Sequence, residues 1–327
     1  MTYSDAKQAF ERLFANQMSF NEAIDFLTLL YKNGETTEEI RAAVEVMREN
    51  SINLDINEEI KDKLIDNCGT GGDKSGSFNI STTVSVVLSS LGCYVAKHGN
   101  RSITSKSGSA DMLEALGVKL DLSNEHKKTM LEDCGFTFLF AQNHHPAMKH
   151  IMPIRKSMPN RTIFNILGPL TNPATVKRHL IGVFDYTFAP KMAEVLRQVG
   201  SKKGVIVCSN DGLDEVSVCD ITRAIFFDSS SINETEIDPT EYGIKKYSQE
   251  ELKGGDALHN AKITYDLLKH RIDGAKKDIV VINTALALMS ADLARDIKDG
   301  IEMARYAIDS NIAFNKLEKI IAVSNTI

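Results

Sequence analysis

Gly69-Thr70-Gly71-Gly72-Asp73 and Lys97-His98-Gly99-Asn100-Arg101 lie about one βα unit apart, each after a short apolar stretch and before a helix-like run. Backbone amides come close to a phosphate only where side chains are absent, and a helix N-terminus adds oriented N–H groups and a dipole that favours anions. Two such loops read as a phosphate cradle. The first runs through Ser75, Gly76, Ser77 and Phe78 into Asn79-Ile80-Ser81-Thr82. There Asn79 or Ser77 can cap the helix, and the hydroxyls of Ser81 and Thr82 can reach a phosphate or a metal-bound water. The second is followed by Ser105-Lys106-Ser107-Gly108-Ser109-Ala110-Asp111, so Lys97, Arg101 and Lys106 can neutralise a polyanion whose oxygens the serines and the Gly108 amide bind. Asp211-Gly212-Leu213-Asp214-Glu215 sets carboxylates side by side after an apolar run. Hard oxygen ligands of this kind, completed by phosphate and water, are how Mg²⁺ is usually held. Each feature alone has a plainer reading, as a capped turn, a solvated basic turn or an Asp-Gly turn. Together they point to chemistry on a phosphorylated small molecule.

Several other chemistries are excluded. A Walker loop ends in Gly-Lys-Ser, whereas Asp73 precedes Lys74 here, and the dinucleotide pattern GxGxxG fails at Asp73 and Lys74. His144, His145 and His150 lack two partners at zinc spacing. With 38 Lys+Arg against 44 Asp+Glu, a formal charge of -6 and no basic block, nucleic acid is not an expected partner. Cys68, Cys93, Cys134, Cys208 and Cys219 form no CxxC and no even framework, which reads as free thiols in a reducing compartment. Asp5, Glu11 and Arg12 occupy the first turns and no uninterrupted apolar segment reaches membrane-spanning length. A soluble, cytoplasmic protein with no membrane partner is expected.

The elements that must carry these loops fall into two groups. Residues 1–63 read as a small helical domain: Tyr3 to Ala15, Asn21 to Tyr31 and Thr37 to Glu49 repeat apolar residues at three and four, as in Ile40, Val44 and Met47. Ser19 before Glu22, and Thr36 or Thr37 before Glu39, are helix starts. Over 64–327 short apolar runs alternate with helical segments. Strands are expected at Cys93 to Ala96, Phe136 to Phe140, Leu180 to Phe184, Val205 to Cys208 and Ala224 to Phe227. Helices are expected at Ser81 to Leu91, Ser109 to Leu116, Pro146 to Lys156, Pro190 to Val199 and Ile279 to Ala294. Such alternation predicts an α/β domain with a mostly parallel sheet covered on both faces, whose ligand sits beyond the carboxyl ends of the strands.

At this point the chain resembles the anthranilate phosphoribosyltransferase family of tryptophan biosynthesis. The resemblance lies in the two glycine loops, Asn79-Ile80-Ser81-Thr82, Gly108-Ser109-Ala110-Asp111 with Leu113 to Gly117, Arg161-Thr162-Ile163-Phe164-Asn165 with Leu167 to Leu170, Asp211 to Glu215, Gly254-Gly255-Asp256-Ala257 and the early Lys32-Asn33-Gly34-Glu35-Thr36. It implies a nucleoside phosphorylase-like α/β domain joined to the helical one, with part of 155–175 packed on the latter. It implies a homodimer formed through the helical domains, and transfer of a phosphoribosyl group from phosphoribosyl pyrophosphate to the amine of anthranilate. The family's donor contacts fall on Gly69, Gly72, Asp73, Ser77, Asn79, Ser81, Thr82, Lys97 and Ser109. Its metal ligands, for two Mg²⁺ ions, fall on Ser81, Asp214 and Glu215, and its anthranilate contacts on Gly69, Asn100 and Arg155. Lys97 and His98 are the candidate catalytic side chains. Met158-Pro159-Asn160 before Arg161, and Asn311-Ile312, depart from the family's pattern. A pyrimidine nucleoside phosphorylase, whose histidine belongs to the first loop, and a non-catalytic nucleic-acid-binding relative are the other readings.

Overall fold

A computed structural model describes residues 1–102 and 106–327; Ser105, one of the serines read as an anion ligand, lies outside the described residues. The chain opens with three helices, α1 (Tyr3–Phe14), α2 (Phe20–Asn33) and α3 (Thr37–Glu49). The start of α2 is a capping box between Ser19 and Glu22, and that of α3 one between Thr36 and Glu39. Their apolar faces meet in a core built from Phe10, Leu13, Leu27, Leu30, Ile40 and Val44. Ile151, Ile154, Ile163 and Phe164 belong to the same core, and two bonds from the Arg48 guanidinium to the Leu170 carbonyl, at 3.0 and 2.7 Å, tie α3 to that later segment.

Among the described residues seven strands follow: β1 (Leu64–Gly69), β2 (Tyr94–Gly99), β3 (Phe136–Phe140), β4 (Arg178–Gly182), β5 (Lys203–Ser209), β6 (Thr222–Asp228) and β7 (Ile232–Ile237). They form one sheet in the order β3-β2-β1-β4-β5-β6-β7. The first five are parallel, while β6 and β7 add on antiparallel. One face is covered by helices Ile80–Ser90 and Ala275–Ser290, both buried almost all round, and the other by helix Ala189–Gln198 over β5 and β6, with α3 packed on that helix in turn. Strand order reverses between β1 and β4, and crevices open at such switch points, outside the carboxyl ends of the strands. Gly69 and Gly182 are register partners at that edge.

The expected strands and helices recur within a few residues, with one change that matters: β2 runs on to Gly99, so Lys97 and His98 are strand residues and not loop residues. Sequence reading also passed over β7, whose exposed Asn233, Glu234 and Glu236 disguise it, and helix Asn124–Cys134, a largely polar run that buries Lys127. Asn311 lies at φ 62° as the N-cap of the last helix, Ile312–Thr326. The departure from glycine there falls on the residue type that tolerates the left-handed region best after glycine.

Candidate active site

The first glycine loop leaves β1 at Gly69 and turns through left-handed residues at Gly71 (φ 66°), Gly72 (78°), Lys74 (59°) and Gly76 (66°), a backbone that gathers N–H groups into an anion-binding concavity. It is held from three directions. Thr70 donates its N–H to Gly182 O at 2.9 Å and accepts the Phe184 N–H at 3.1 Å. Arg161 donates to Gly72 O at 2.7 Å. The Gly254-Gly255 segment backs the loop, since Gly254 N–H reaches Gly76 O at 2.9 Å and a side chain at Gly254 would meet the Phe78 backbone at 2.6 Å.

Asp214 enters this loop from the turn after β5. Its Oδ2 accepts the Gly71 N–H at 2.7 Å. A Cβ on Gly69 would lie 2.3 Å from that oxygen, and one on Gly182 would lie 1.5 Å from the Asp214 carbonyl. Both strand-end glycines are therefore required by the passage of the acidic turn. Burial and the nearby Asp73 carboxylate push the Asp214 ionisation up to about 7. Burial and the neighbouring Asp214 drive Glu215 well above the usual carboxylate range, while Lys97 and the Ser81 amide act in the opposite direction. Two half-buried carboxylates pressed together in this way are the donor chemistry of a hard divalent cation. Among the described residues no group of three His, Cys, Asp or Glu side chains could hold a metal, so such an ion needs phosphate or water oxygens besides, which is the ordinary pattern for Mg²⁺.

Lys97 is buried, with Nζ donating to Asn67 O at 2.6 Å and to Ser81 Oγ at 3.2 Å. Burial lowers its pKa, offset by Asp66, Cys68 and Glu215. Its charge thus acts beside Ser81 and the paired acids and not from an open loop. Thr82 is buried and its Oγ1 has no protein partner. Ser109 opens helix Ser109–Ala115 with its hydroxyl on Asn100 O at 3.2 Å.

Residues 61–314 match the glycosyl transferase family, a/b domain, and residues 1–51 match the glycosyl transferase family, helical bundle domain. Anthranilate phosphoribosyltransferase of Xanthobacter autotrophicus is 43% identical over 99% of this chain and 93% of its own length, and that of Petrotoga mobilis 40% identical over 99% and 93%. The chain belongs to the anthranilate phosphoribosyltransferase family. Its fold agrees: the crystal structure of the Thermus thermophilus enzyme superposes with a TM-score of 0.92 at 35% identity, covering 99% of this chain and 96% of that one. The Saccharomyces cerevisiae enzyme in complex with PRPP and Mg gives 0.90 at 26% identity, covering 100% and 94%.

Against the anthranilate phosphoribosyltransferase pattern, several residues sit where the sequence alone did not put them. Asn79 occupies the N-cap position of helix Ile80–Ser90 but makes no side-chain cap bond. Its amide instead meets Ser107 and Asn260, and Ser77 is engaged by Ser75. Arg101 is paired with Asp111 and Glu114, so it stabilises its own turn and is not a free cation for a polyanion. His98 is buried, donates Nδ1–H to Gly168 O at 3.0 Å and, through burial and neighbouring His145, has its pKa depressed to about 3. An imidazole in that state is neutral at physiological pH and too weakly basic to retain a proton there. Arg155 lies on helix Met148–Ser157, over the Phe164 ring at 5.4 Å, with its pKa lowered by burial. Asn100 Oδ1 accepts the Arg101 N–H at 2.8 Å and the Gln142 amide at 3.3 Å. Sequence reading missed Gly182, although a glycine at a strand end signals close backbone approach. It also missed Asp66, a fully buried acid that accepts the His98 N–H at 3.2 Å and the Asn172 amide at 2.7 Å.

Proposed function

We propose that this chain transfers the phosphoribosyl group of phosphoribosyl pyrophosphate to the amine of anthranilate, giving N-(5-phosphoribosyl)anthranilate and pyrophosphate, in tryptophan biosynthesis. The observation that carries the reading is the meeting of Asp214 with Gly69, Gly71 and Gly182, which places a metal-type carboxylate inside an anion-type loop at the sheet's switch point. The amides of Gly69, Gly72 and Asp73, with Ser77, Asn79, Ser81, Thr82, Lys97 and Ser109, bind the pyrophosphate and ribose phosphate. Ser81, Asp214 and Glu215 hold Mg²⁺, two ions per site, the metal named in the yeast relative's complex. Bound Mg²⁺ supplies positive charge for the leaving pyrophosphate without proton transfer.

Negative charge grows on pyrophosphate as the bond to ribose C1 breaks. Lys97, fixed by Asn67 and Ser81, and the loop amides face that change already oriented, so no reorganisation is required as the charge develops. The ribose carbon becomes cation-like, and a weak aniline nucleophile suffices once held in line. Gly69, Asn100 and Arg155 hold anthranilate, the Arg155 guanidinium matching its carboxylate bidentately. His98 contributes as a neutral hydrogen-bonding group.

The domain division proposed is 1–63 and 64–327, with part of 155–175 on the helical side, supported by the Arg48 to Leu170 bonds and the shared core. Exposed Phe20, Leu29 and Tyr31 on α2 support a homodimer through the helical domains, which sedimentation at graded concentration would test. Five free cysteines support the cytoplasm; no described helix is long and apolar enough to cross a membrane. Mixing the folded protein with anthranilate, phosphoribosyl pyrophosphate and Mg²⁺ should extinguish anthranilate fluorescence. No loss of fluorescence removes the proposal.

A further inference from the structure

We propose that Arg161 is a positioning residue for the donor phosphates, acting through the Gly72–Asp73 peptide and not on the acceptor's carboxylate; this rests on the function proposed above. Arg161 lies in the short connection between helix Met148–Ser157, which carries Arg155, and the turn Phe164–Leu167. Sequence distance alone would assign it to the same acid-reading group as Arg155. The geometry assigns it elsewhere. Its Nη2 donates to Gly72 O at 2.7 Å and its guanidinium carbon stands 3.5 Å above the Phe184 ring. Phe184 in turn gives its N–H to Thr70 Oγ1 at 3.1 Å. Thr70, Phe184, Arg161 and Gly72 therefore close a circuit around the glycine loop.

The circuit has a chemical consequence. In a planar trans peptide the C=O and the following N–H point in opposite directions. With Gly72 O drawn outward to a cation, the Asp73 N–H is turned the other way, and an electron-rich carbonyl is kept from facing phosphate oxygens. Gly72 makes room for this: at φ 78°, a Cβ would already lie 3.1 Å from the Arg161 nitrogen. On the other side of Gly72, the Gly71 N–H is fixed by Asp214, so the two ends of the turn are oriented by side chains from different loops.

The test compares Arg161→Met, which keeps a stem able to lie on Phe184 but cannot donate, with Arg161→Lys, which keeps a donor. Phosphoribosyl pyrophosphate with Mg²⁺ is titrated calorimetrically into each, and steady-state rates are measured with each substrate varied. A bond from a charged donor is worth roughly a tenfold change in affinity, so Arg161→Met should bind the donor about tenfold more weakly. Its KM for anthranilate should stay within about twofold and its melting temperature within about 2 °C. Arg161→Lys should recover to within roughly threefold of wild type. Unchanged donor affinity in Arg161→Met, or a loss that falls on the KM for anthranilate, overturns the inference. A wild type that binds the donor yet leaves anthranilate unconsumed sinks the proposed reaction, and the donor titration still decides the role of Arg161.

Discussion

Replacing Asp214 by Asn should make the protein more stable and less active, and both effects have one origin. Burial and the Asp73 carboxylate raise the Asp214 ionisation from its ordinary 3.8 to about 7, which corresponds to roughly 4 kcal/mol at about 1.4 kcal/mol per pH unit. The folded chain holds this proton more tightly than the unfolded one. The associated stability is fully present below pH ~4 and is lost as the pH climbs through ~7. Because the side chain keeps partial contact with solvent, screening reduces the gain on mutation to about 1 to 2 kcal/mol. The amide retains an oxygen for the Gly71 N–H, bonded at 2.7 Å, and carries no charge. Melting at pH ~8 should therefore rise by about 2 to 4 °C, and the gap to wild type should close toward pH ~4. Turnover should fall by about 10²- to 10³-fold, the cost of removing one electrostatic stabiliser. Added Mg²⁺ should raise the melting temperature of wild type more than that of the variant. A variant that melts below wild type at alkaline pH, or one with full turnover, refutes the reasoning.

Arg155→Ala should lower kcat/KM for anthranilate by roughly one to two orders of magnitude, as expected for a lost charge-assisted bond. An aniline without the carboxylate should lose little, and equal losses for both substrates would remove Arg155 from the acid site. Gly182→Ala places a methyl group where the Asp214 carbonyl already lies, 1.5 Å from the new Cβ. Turnover should be abolished and stability fall by about 1 to 3 kcal/mol as β4 and the acidic turn separate, which thermal melts and a Mg²⁺ titration would report. Gly72→Val, at a left-handed position with Arg161 3.1 Å from the new Cβ, should weaken donor binding while anthranilate affinity at saturating donor changes less. An unaltered donor titration would make the loop a simple turn.

The parts legible in the sequence were those with local causes. The capping boxes at Ser19 and Thr36 lie within four residues of their partners, and the first glycine loop declares its left-handed backbone by composition. β1 was harder to see because Asp66 and Asn67 interrupt its apolar run. The Asp66 carboxylate is buried holding the His98 N–H, and the Asn67 amide is buried holding Ser81 O and the Ser85 hydroxyl, so the site itself obscures the strand that supports it. Arg161 and Gly72 are 89 residues apart, and no periodicity links them. Asn79 read correctly as a helix start and wrongly as a cap, because the partners that claim its amide, Ser107 and Asn260, come from distant segments.

The adjacency of β1 and β4 also governs when this protein can begin to work. Ile65 pairs with Arg178 and Gly69 with Gly182, so the central seam of the sheet closes over more than a hundred intervening residues. Closing so long a loop costs entropy before any contact repays it, which slows the step. A nascent chain still short of β4 has no seam for the first glycine loop to lean on, and Asp214 emerges later still. Phosphate-binding competence should therefore appear late in synthesis and almost at once. Fragments ending before β4 should be inert and should expose an unpaired β1 edge, the kind of surface that recruits other strands.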